Sequence, residues 1–180
     1  MAAYVKMIMR ELLLPQTKEA PSGADRGVVA ALGIPYVEGK DHNQFVWNGY
    51  QLQIDNLDTP SNIIHECAHY QVAPTLFRSQ VEYGLGKAPN SLRFFEVTRS
   101  PTRAAPDDEL LASLLGILWE KHLGYDHVDT LFSHNWVRNT FNPTWEEYAK
   151  HNSTETTLET LYELGLISAR GIPKVAVNGN

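Results

Sequence analysis

The chain has 180 residues, 43% of them hydrophobic, and a formal net charge of −6. That length suits one domain with a full core, and residues 1–180 are expected to form a single one. The negative charge and a pI near 5.6 argue against general nucleic-acid binding, and a lone cysteine, Cys67, excludes an internal disulfide.

Met1 to Leu14 is apolar but interrupted by Lys6, Arg10 and Glu11. The apolar run is too short for a secretory signal or a membrane span, so a cytoplasmic protein is expected. Ala3 to Leu14 reads as a helix ended by Pro15, Gln16 to Gly23 as a loop, and Ala24 to Leu32 as a second helix stopped at Gly33. These two helices carry no recognisable chemistry. Next, Gln44–Trp47 and Tyr50–Ile54 flank Asn48-Gly49, a pair suited to a two-residue hairpin turn, so a small antiparallel sheet is expected. Tyr50, Leu52 and Ile54 would pack on one face, leaving Gln51 and Gln53 to meet solvent or substrate. The edge of such a sheet could receive an extended peptide through backbone hydrogen bonds.

Asn62 to Tyr70 contains His65-Glu66-Cys67-Ala68-His69, in which two imidazoles stand four residues apart. On a helix they are neighbours one turn apart and can bind one metal ion, with Glu66 beside them. With 7 His in the chain, the triplet is expected by chance only about 0.02 times. Thr59 as N-cap, Pro60 at the first helical position and Pro74 beyond the end bound a helix over about residues 60–72. Cys67 falls on its core-facing side and reads as packing, not as a nucleophile or a ligand.

Residues 73–106 read as a long irregular connection with a short strand at Leu92 to Val97. Arg78, Lys87, Arg93, Arg99 and Arg103 outnumber Glu82 and Glu96 there, so the basic 78–103 segment is the one stretch that could guide an acidic substrate or nucleic acid. Pro106-Asp107-Asp108-Glu109 opens an apolar helix running to about Gly124. Glu109, Ser113, Gly116 and Glu120 share one narrow face of it, within about 60°. A carboxylate flanked by such small residues would let the helix approach a metal closely. Asp126 to Asn142 reads as partly helical, Thr144 to Lys150 as a helix opened by a capping box, and Thr154 to Leu164 as the last helix, stopped by Gly165. The tail from Ala169 to Asn180 is expected to be loose. Residues 107–163 are acidic and could face a basic partner.

Glu82 and Glu109 both qualify as a third metal ligand, and rigid placement on a capped helix favours Glu109. Pro74-Thr75 occupies the place where a metzincin would continue its motif, which excludes that pattern. His65-Glu66-Cys67-Ala68-His69 followed by Asp108-Glu109-Leu110-Leu111-Ala112 resembles the compact gluzincin domains of the ImmA/IrrE type and of ArdC-like antirestriction proteins, over roughly residues 44–124. The resemblance implies an α+β, mostly helical zincin-like domain with Zn2+ held by His65, His69 and Glu109 and with Glu66 as catalytic base. The chain departs from the family in Cys67, in the length of the connection before Glu109, and in having no room for the separate single-stranded DNA-binding domain of the ArdC-like proteins.

The expected activity is that of a zinc metallopeptidase. A zinc-bound water would attack a peptide bond in a protein or peptide substrate, Glu66 would be the general base, and Tyr70, Tyr83, His127 or His134 would stabilise the oxyanion. The alternative is an interaction or inhibitor protein that keeps zinc as a structural staple and binds through an acidic face.

Overall fold

A computed structural model describes residues 2–38, 46–54, 59–84, 106–133 and 153–178. The helix that carries the paired histidines, α3 (Pro60–Val72), has other elements packed around it. Its start is fixed as the sequence predicts: Thr59 is extended, its hydroxyl accepts from the Asn62 N–H at 3.3 Å, and Pro60 begins the helix. Ile63, Ile64, Cys67, Ala68 and Val72 enter the core, but His65, His69 and Gln71 are buried as well. The polar side of the helix is therefore covered as well.

The cover is α5 (Pro106–Leu123), which makes the most extensive contact with α3. Every residue of α5 from Leu111 to Glu120 is buried, as an apolar helix of this length requires. Its narrow polar face turns inward against α3, with only Glu109 at its start reaching solvent. Ser113 and Glu120 are each 2% exposed. Glu120 lies against the hydroxyls of Thr130 and of Ser61 in the first turn of α3, and those two hydroxyls are 3.5 Å apart. The helix ends at Gly124, whose φ of +100° favours glycine, and an added Cβ there would lie 3.0 Å from the backbone of Glu19 and Ala20. The preceding loop is tied to this end through Gln16, whose amide donates to Lys121 O at 2.7 Å.

Smaller helices complete the packing. They are α1 (Ala3–Leu12), α2 (Ala24–Ala31), α4 (Thr75–Arg78), α6 (His127–Ser133) and α7 (Thr154–Glu163). α2 packs on α3, α6 and α7 pack on α5, and α1 packs on α7. Gly33 and Gly165 take left-handed conformations just past their helices, where the sequence places them as stops. No helix among the described residues is long and apolar enough to cross a membrane.

The α+β class holds, but the sheet is parallel, not antiparallel. β1 (Tyr36–Val37) pairs with β2 (Leu52–Gln53) in parallel, Tyr36 opposite Leu52. The Asn48-Gly49 stretch does reverse the chain, with a single antiparallel bridge between Trp47 and Leu52. The reversal takes four residues instead of two, because the Asn48 carboxamide accepts from the N–H groups of both Tyr50 and Gln51 and builds a wider turn. The alternation also shifts: Leu52 and Ile54 are buried as expected, whereas Tyr50 is exposed and Gln53 is buried.

The C-terminal segment is anchored, contrary to the expected loose tail. Gln71 near the end of α3 donates to Lys174 O and Ala176 O at 2.8 and 2.6 Å, and the Asn178 carboxamide donates to Val72 O at 3.0 Å. Arg78 donates to Tyr70 O and to Asn178 O, at 3.0 and 2.6 Å. The last carbonyls of α3 are thus satisfied by a returning strand of tail and by an arginine. The predicted strand at Leu92–Val97, the helix at Thr144–Lys150 and the residues Lys87, Arg93, Arg99 and Arg103 lie outside the described residues.

Candidate metal centre

α3 presents His65 and His69 one turn apart, and their Nε2 atoms face each other at 3.0 Å. α5 brings Glu109 between them: Oε1 is 3.3 Å from His65 Nε2, and Oε2 is 3.2 Å from His69 Nε2. These three side chains form a group able to hold a metal ion, the one such group found among the described residues. A tetrahedral ion with bonds of about 2.0–2.1 Å spans ligand-to-ligand edges of about 3.3 Å, so the donor triangle has the size of one face of such a site. The imidazoles are nearly enclosed, and the Glu109 side chain, 36% exposed, is the part that meets solvent.

The protonation states suit a metal. Burial and the neighbouring His69 push the His65 imidazole down to about 4, outweighing the pull of Glu109, so the ring is uncharged at neutral pH. For Glu109, burial favours the neutral acid, but hydrogen bonds from His65 and His69 prevail and hold the carboxyl well below its usual range. Ser113, one turn along α5, donates to Glu109 Oε1 at 3.3 Å and orients it. The sequence shows Ser113 as a small residue on the same face, and its i, i+4 spacing from Glu109 was the signal for this second role. Gly116 completes the stripe, with its Cα face against the backbone of His65. Glu66, half-buried, follows His65 on the same turn of α3.

Glu82, the competing ligand candidate, serves the fold. Its carboxylate accepts from Val46 N–H at 2.9 Å, and its own N–H donates to Trp47 O at 2.9 Å. Glu82 and Tyr83 are both left-handed, with φ of 49° and 54°, which costs about 1–2 kcal/mol per non-glycine residue. The turn they form, Val81–Gly84, delivers the buried Tyr83 ring into the site. Tyr83 stacks on Trp47 (centroids 5.2 Å apart, planes at 9°) and on His69 (5.8 Å, 18°). Its hydroxyl donates to the Glu66 carbonyl oxygen at 3.1 Å. Sequence pattern gave no sign of this stack, because its members come from three separate segments.

The other named residues fall in different places. Tyr70 is half-buried, edge-on to Trp47, with the Arg78 guanidinium 5.1 Å above its ring. His127 is buried, and its Nε2 lies 3.1 Å from Leu12 O, which ties α6 to α1. His134 lies outside the described residues. Cys67 is fully buried, and burial raises its thiol further from ionisation, in keeping with packing. Arg78, read from sequence as part of a basic surface, is used internally to tie α3, α4 and the tail together.

No protein-family model matches the chain, and no curated protein or solved structure matches it.

Proposed function

We propose that His65, His69 and Glu109 hold one zinc ion and that the chain is a metallopeptidase cleaving a peptide bond in a protein or peptide substrate. The observation that carries this reading is the 3.0–3.3 Å triangle of two imidazole nitrogens and a carboxylate, assembled from two helices. Two histidines and one carboxylate match the ligand set of catalytic zinc sites that keep an open position. Zinc, when bound, supplies Lewis acidity toward the scissile carbonyl and makes water a stronger acid.

The chain's own residues supply the rest. Glu66, fixed on the helix turn between the two histidines, accepts the proton of the attacking water and passes it to the leaving amine. Tyr83 spends its hydroxyl on the Glu66 carbonyl and His127 faces Leu12 O, which leaves Tyr70 as the described candidate for oxyanion stabilisation. Kinship with ImmA/IrrE-type domains is part of this proposal and is supported only by the two motifs that resemble theirs.

The test is Glu66→Gln, which keeps the shape of the side chain and removes the base. Zinc content should be unchanged, while cleavage of a diverse peptide library, followed by mass spectrometry, should disappear. Wild-type protein that carries zinc and cleaves nothing, yet captures a basic protein partner equally well with Glu66→Gln, would favour a zinc-stapled binding protein instead.

A further inference from the structure

We propose that Tyr83 is the positioning residue of the metal centre, setting the plane of the His69 ring and the seat of the Glu66 turn from outside the ligand set. This rests on the zinc reading above and adds to it a residue that the two motifs do not contain.

Three observations converge. The His69 ring lies nearly parallel to the Tyr83 ring, which in turn lies nearly parallel to Trp47, so one imidazole ligand is the end member of a three-ring stack. The same Tyr83 donates to the carbonyl oxygen of Glu66, so a single side chain touches the ligand through its face and the base-bearing turn through its hydroxyl. Finally, the backbone of Glu82 and Tyr83 occupies the left-handed region, where bulky residues rarely sit. Glu82 is held there by accepting from the Val46 N–H through its carboxylate and donating its own N–H to Trp47 O, and the product of that arrangement is the placement of the Tyr83 ring. Packing alone would be served by any apolar residue in an unstrained conformation. Outer partners that hydrogen-bond a metal-bound histidine commonly change metal affinity by roughly 10–100-fold when removed, and a ring that orients the histidine through its face is expected at the low end of that range.

The experiment compares wild type, Tyr83→Leu and Tyr83→Phe. Zinc affinity is read by competition with a chelator, and the His69 ring resonances are read by NMR on the metal-free protein, where stacked rings shift imidazole protons upfield. Tyr83→Leu should lose the upfield shift and bind zinc roughly tenfold or more weakly. Tyr83→Phe restores the ring and should recover both, while losing kcat with little change in KM because the Glu66 turn is no longer held. A folded Tyr83→Leu with unchanged His69 resonances and unchanged affinity overturns the proposal, as does Tyr83→Phe behaving like Tyr83→Leu. Should Tyr83→Leu fail to fold, Tyr83→Met takes its place, since it fills more of the volume of the ring while removing the aromatic face. Loss of the upfield His69 shift with weaker zinc binding then supports the proposal, and no change in either overturns it. A wild-type chain that takes up no zinc defeats the metal reading itself, whereas equal affinities in folded variants defeat only the role given to Tyr83.

Discussion

Gly116 on α5 faces the backbone of His65 on α3 so closely that an added Cβ would lie 3.5 Å from His65 Cα and 3.8 Å from its nitrogen. Those are ordinary contact distances, so the absence of a larger side chain, and not glycine as such, lets the two helices meet. Gly116→Ala should therefore be neutral or stabilising by up to about 1 kcal/mol, the helix-propensity gain, with zinc affinity unchanged. Gly116→Leu should push α5 outward, cost about 1–3 kcal/mol and draw Glu109 away from the histidines. Denaturant unfolding and chelator competition read the two effects, and full zinc affinity in Gly116→Leu would show that this contact does not place Glu109.

The two glutamates once in competition now separate by phenotype. Glu109→Ala leaves two protein ligands, and zinc affinity should fall sharply. Glu82→Ala removes the acceptor of the Val46 N–H in a strained turn and should cost about 1 kcal/mol of stability, with a smaller effect on zinc. From sequence alone, Glu82→Ala is expected to do little. Weaker zinc binding in the Glu82 variant than in the Glu109 variant would reverse the assignment.

Glu120 gives a pH signature away from the metal. Burial raises its carboxyl to about 7, with Asp126 and Asp129 adding to the rise against the hydrogen bonds from Thr130 and Ser61. The folded chain therefore holds this proton more tightly than the unfolded chain, so the stabilisation is complete below the ordinary glutamate range, near pH 4.5. It is lost as pH rises through about 7, a fall of about 1–3 kcal/mol. Glu120→Gln, which mimics the protonated form, should flatten the stability profile between about pH 4.5 and 7 relative to wild type, by about that amount. Parallel profiles for the two proteins would show that Glu120 does not carry this dependence.

Gln71 links three parts of the chain, accepting from Trp119 Nε1 at 2.7 Å while donating to two carbonyls of the tail. Gln71→Leu leaves the buried Trp119 N–H without an acceptor and frees the tail, at a cost of about 1–3 kcal/mol. Limited proteolysis should then cut near residues 174–178, which wild type protects. Equal protection in both would mean that the tail is held by Asn178 and Arg78 alone.

What the sequence revealed and what it hid divide along physical lines. Both ends of α3 and the stops of α2, α5 and α7 were legible because the Thr59 cap, the prolines and the glycines act locally, within a turn of the chain. That His65, His69 and Glu109 come together as a group able to hold a metal ion was legible because a histidine pair four apart shares a helix face and because rigid placement on a capped helix favoured Glu109 over Glu82. The strand pairing was not, since Leu52 could pair with Trp47 or with Tyr36, and only tertiary packing chose the latter for the sheet. The tail and the Tyr83 stack were hidden for a related reason. Gln71 and Lys174 are 103 positions apart, and no local pattern connects such partners.

The most direct test of the account is metal analysis of the gently purified chain, followed by zinc titration of the metal-free protein. One zinc per chain, with binding greatly weakened in Glu109→Ala and in His69→Ala, is the predicted result. No metal after purification and no uptake on titration, in a chain shown to be folded, would contradict the central claim.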